Sequence, residues 1–93
     1  MQKRRQSAVG EAESLAIDML AWLAGQAEAL GRFLALSGLE PDELRQAAAD
    51  PAFLGGVLDF FATNELLLIA YATDAGINPE AVVRAWQAFG GEV

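Results

Sequence analysis

The sequence predicts an all-α fold: a compact five- to six-helix orthogonal bundle made of two tandem three-helix units related by internal duplication. Three observations predict it. The chain matches itself at an offset of 38 residues. Glycine and proline recur in that register where helices should stop and start, and the apolar residues between them repeat with helical spacing.

The internal match is broad. It aligns Leu20 with Leu58, Ala24 with Ala62, Leu30 with Leu68, Gly38 with Gly76, Pro41 with Pro79 and Ala47 with Ala85. Conservative pairs extend it: Trp22 with Phe60, Leu23 with Phe61, Gln26 with Asn64, Phe33 with Tyr71 and Leu39 with Ile77. The units run over about 13–50 and 51–90, inside one domain of 8–93 that follows a basic tail, 1–7, expected to be disordered.

Six helices follow in order, near 8–24, 28–37, 41–49, 51–62, 64–75 and 79–89. Leu15, Met19, Trp22 and Leu23 form the stripe of the first. Its end at Gly25 and Gln26 is weakly marked, so one long helix through Gly25 stands as the alternative. The second carries Leu30, Phe33 and Leu34 and stops at Gly38, where a left-handed residue ends a helix without Cβ strain. Leu39 then packs back on the last turn as in a Schellman cap, and Glu40 with Pro41 opens the third helix. Asp50 and Pro51 form the N-cap and first position of the fourth, whose stripe is Leu54, Val57, Leu58 and Phe61. The fifth starts after Thr63 and Asn64. Its run Leu66, Leu67, Leu68, Ile69 is apolar all round, which marks it as the buried centre. Gly76, Ile77, Asn78 and Pro79 repeat the joint, and Val82, Trp86 and Phe89 form the last stripe.

Composition narrows the function classes. The chain has no cysteine and no histidine, so it has neither a disulfide nor a thiolate or imidazole metal ligand. The net charge is −7, and three of six cations are Lys3, Arg4 and Arg5. Beyond them three arginines face thirteen carboxylates, a net of −10 that repels phosphate backbones and anionic lipid. The basic start leads into Glu11, Glu13 and Asp18 with no apolar stretch, unlike a signal peptide, and the run Leu66 to Ala72 is too short to span a bilayer. These features point to a cytoplasmic protein that does not enter a membrane.

Four segments, LGRFLALSGL (30–39), DPAFLGGVLDF (50–60), ELLLIAYA (65–72) and GINPEAVVRA (76–85), resemble a small bacterial family catalogued as domain of unknown function 3572. The resemblance covers about residues 12–91 in family order. It implies a short, stand-alone, all-helical protein and brings no activity, cofactor or binding residue with it.

No catalytic site is expected. Proton transfer near neutral pH most often uses histidine, and the only lysine, Lys3, lies in the basic tail. Gly55 and Gly56 sit inside a helical pattern with no following Lys-Ser or Lys-Thr, so they form no phosphate loop. Glu40, Asp42 and Glu43 lack the order of a calcium loop; carboxylates in a first helical turn favour the positive end of its dipole. No metal and no cofactor are therefore expected.

Two binding modes stay open. The spacing of Tyr71, Ala72, Gly76, Ile77, Val82 and Ala85 fits a helix-turn-helix, but the recognition helix would offer Glu80, Arg84 and Gln87 in a repulsive field, which disfavours nucleic acid. Ala52, Gly55, Gly56, Asp59 and Thr63 lie on one face of the fourth helix, where small residues admit a close neighbour. That face is the candidate partner-binding strip unless the first or sixth helix covers it. The expected function is a protein–protein interaction or adaptor module, with an unidentified protein partner or self-association. A small-ligand carrier using a cavity between the units is the weaker alternative. Trp22, Trp86 and Phe89 are assigned to the core.

Overall fold

A computed structural model describes the backbone of residues 2–90 and the side chains of 10–90. Within that range the chain is all helical: α1 (Gln2–Leu23), α2 (Ala27–Ser37), a 3-10 turn (Pro41–Glu43) leading into α3 (Leu44–Ala47), α4 (Pro51–Ala62), α5 (Glu65–Ala75) and α6 (Pro79–Ala88). Each joint has a chemical cause. Asp50 accepts from Ala52 N at 3.0 Å and Asn78 from Glu80 N at 2.9 Å, each followed by proline at the first position. Glu40 opens the 3-10 turn with a capping box, its N–H donating to Glu43 Oε1 at 2.7 Å.

The glycine stops adopt the left-handed conformation, Gly38 at φ 73° and Gly76 at φ 69°. They differ in detail. At Gly76 the next residue closes a Schellman bond, Ile77 N to Ala72 O, 3.0 Å; at Gly38 the glycine N–H itself bonds Leu34 O, 2.8 Å, the simpler left-handed cap. The chain does not run helical through Gly25: the N–H groups of Gly25 and Gln26 turn to the carbonyls of Trp22 and Leu23 in a tight turn before α2. At the start, α1 begins at Gln2, so its helical backbone includes Lys3, Arg4 and Arg5. Between Gln2 and Ala8 there is neither proline nor glycine, and most residues there are good helix formers.

The core is built where α1, α4 and α6 pack on one another. Ala12, Ala16, Met19 and Leu23 of α1 meet Leu54, Val57, Leu58 and Phe61 of α4 and Val82 and Ala85 of α6, all buried. Full burial of one such large side chain contributes about 1.5–3 kcal/mol. The alanines on α1 set the close approach of its neighbours. Phe33 anchors α2 edge-on against Phe53 and Phe60, with ring centroids 5.7 and 5.2 Å apart.

The buried centre is α4, not α5. Five of its twelve residues are buried, and they include both phenylalanines of its last turns, Phe60 and Phe61. On α5 only Leu68, Tyr71 and Ala72 are buried, while Leu66 is 86% exposed and Ile69 45%. A domain this small cannot cover every apolar face, and it is α4, not α5, that packs on both α1 and α6.

Element limits recur at the offset seen in the sequence: Ala27–Ser37 and Glu65–Ala75 are shifted by 38 residues at both ends. The third helices break the likeness. The second unit ends in α6, a main wall of the core, whereas the first ends in a 3-10 turn and the single turn of α3, which has no buried residue.

Candidate functional site

The strip expected on α4 is divided by α6. The ring of Phe89 lies over Gly55, and the Trp86 indole Nε1 donates to Asp59 Oδ1 at 3.3 Å. Gly55 is therefore half-buried by the chain's own last helix, which uses the missing Cβ for close approach. The other members, Ala52, Gly56, Asp59 and Thr63, stay exposed. Gly56, Asp59 and Thr63 open instead into a groove whose far wall is Leu36 and Ser37 of α2. Thr63 Oγ1 turns inward to Asp59 O at 2.9 Å and caps the end of α4, so its hydroxyl is spent locally. Trp22, Trp86 and Phe89 pack against the core, as assigned from their stripes.

The sequence reading missed a second surface. Leu66 and Ile69 of α5 place bulky apolar side chains in solvent, and Leu36, at the wall of the α4 groove, is 78% exposed as well. Leu66 lines a groove together with Ala29 and Arg32 of α2. The only signal in the sequence was the all-apolar run at 66–69, which reads equally as a buried helix and as one with a bare outer face.

Polar chemistry near these surfaces is structural. Trp22 Nε1 donates to Asp74 Oδ2 at 2.9 Å and ties α1 to α5. The Trp22 ring meets Tyr71 edge-on at 5.5 Å, and Tyr71 is 4% exposed. Burial, and secondarily the charge of Asp18, push the Tyr71 phenol above its ordinary pKa of 10. Among the described residues no three carboxylates gather closely enough to hold a metal ion. Glu43 of the acidic cluster is occupied with the backbone N–H of Glu40.

The α5–α6 pair does form two helices across a glycine turn. Val82 and Ala85 of α6 face inward, and on its exposed side Arg84 stands 3.9 Å from Glu80, one turn away. Such an exposed pair contributes little stability, but it places a carboxylate beside the helix's one cation. Among the described residues no single helix is long and apolar enough to cross a membrane.

Residues 9–92 match a family described as a protein of unknown function (DUF3572). No curated protein and no solved structure matches the chain.

Proposed function

The chain belongs to the DUF3572 family, and from that premise we propose that it is a cytoplasmic protein–protein interaction module without catalysis, which docks through the apolar residues exposed on α2 and α5. One observation carries the reading: Leu66 and Ile69, one turn apart on α5, are exposed at 86 and 45%, and Leu36 of α2 at 78%, whereas the other large apolar residues among those whose side chains are described, Ile17 apart, are at least partly buried. Scattered exposed leucines are ordinary, but bulky apolar residues grouped on one surface are the usual mark of a contact site.

A photo-crosslinking side chain placed at position 66 or 36 in cells tests it. A discrete adduct from both positions, absent from the same group at Gln46, is the expected result. An adduct of twice the chain's mass would identify self-association. A chain that stays alone at every position would contradict the reading.

A further inference from the structure

We propose that the outward face of α5 is a docking strip for a basic amphipathic helix of a partner protein, a proposal that rests on the interaction-module reading and says where and what it binds. The residues of α5 that face the fold are Leu68, Tyr71 and Ala72. Leu66, Ile69, Ala70 and Thr73 follow one another at i, i+3, i+4 and i+7 on the opposite side, and all four are exposed. The strip is two turns of helix without a charge.

Its margins are acidic. Glu65 stands at its start. Asp74 lies at its end, held at the seam with α1 by the Trp22 indole, and Asp18 is one turn before Trp22 on the same side of α1. Arg32 borders the end near Leu66, together with Glu28.

Charge selects the occupant. With three arginines against thirteen carboxylates beyond residue 5, the domain repels nucleic acid and anionic bilayers. A second copy related by a two-fold axis would meet the strip with the same margin, four carboxylates to one arginine, a net repulsion. A helix with an apolar side and flanking lysines or arginines satisfies both parts: its side chains cover Leu66 and Ile69, and its cations meet Glu65, Asp74 and Asp18.

The test uses two synthetic helical peptides with the same leucine stripe, one with lysine and one with glutamate at every other position, titrated calorimetrically at low and high salt. Three proteins are compared: the wild type, the double variant Leu66→Lys/Ile69→Lys, and Gln46→Lys/Gln87→Lys, which changes net charge equally at exposed sites elsewhere. Unchanged melting of the variants confirms that they fold. The wild type is expected to bind the lysine peptide at least about tenfold more tightly than the glutamate peptide, less so as salt rises, with the strip variant losing about tenfold or more and the control far less.

Equal weakening in both variants would reduce the attraction to net charge and overturn the strip. Equal binding of the two peptides would overturn the basic partner while leaving an interaction module. Failure to bind either peptide, with dimers that the strip variant abolishes, would make a second copy the occupant and overturn the proposal. Failure to bind in a strict monomer would sink the proposal and the module together.

Discussion

The ring of Phe89 lies against the backbone of Gly55 so closely that a Cβ there would stand 2.9 Å from the ring's Cδ2. The adjacent Gly56 has nothing within 4 Å of the same position. One glycine is a packing requirement of α6 on α4; its neighbour is not.

Alanine at these two sites should therefore act in opposite directions. Gly55→Ala forces the Phe89 ring to shift and should destabilise by about 1 kcal/mol or more. Gly56→Ala adds a helix-favouring residue in open space and should stabilise by roughly 0.5–1 kcal/mol. Urea denaturation of both variants measures the difference; equal midpoints would show that Phe89 does not hold this contact.

Valine at either helix stop should be costly. Gly38 and Gly76 have φ of 73° and 69°, a region where a β-branched side chain is strained even with free space around it. Gly38→Val and Gly76→Val should each lose more than about 1 kcal/mol. Denaturant midpoints at the wild-type value in both would show that the turns are formed otherwise.

Tyr71 predicts an alkaline loss of stability. Its phenol is harder to ionise in the folded chain than in the unfolded one, because burial first and Asp18 second disfavour the phenolate. Unfolded chains thus release the proton first as pH rises. The stabilisation is complete below the ordinary phenol value of 10 and is lost as pH climbs from there through the raised folded value. Tyr71→Phe should remove this part of the alkaline slope in urea unfolding followed from pH 8 upward. Identical slopes in the two proteins would mean that Tyr71 ionises freely in the fold.

The joints of this fold were legible because they are made by local chemistry. Gly38, Asp50, Pro51, Gly76, Asn78 and Pro79 each act through their own backbone preference or a bond two to four residues away, and each stands where the sequence places it. Burial was less legible, because it depends on which helices meet. The 66–69 run of α5 pointed to the centre, yet α4 occupies it, and Leu66 remains outside. The cover over part of the α4 strip was hidden for the same reason: nothing local to Gly55 tells that Phe89, 34 residues later, will lie over it. Likewise the start of α3 reads like that of α6, but α3 buries no residue fully, reaches the core only with Leu44 at its edge, and ends after one turn.

Amide and indole chemical shifts of the isotope-labelled protein, followed as the lysine-rich helical peptide is added, test the docking surface most directly. The largest changes should fall on the amides of Leu66, Ile69, Ala70 and Thr73 and on the Trp22 indole N–H, which is bonded to Asp74 beside them. Changes centred on the exposed residues of α4 or on α6, with α5 silent, would contradict it.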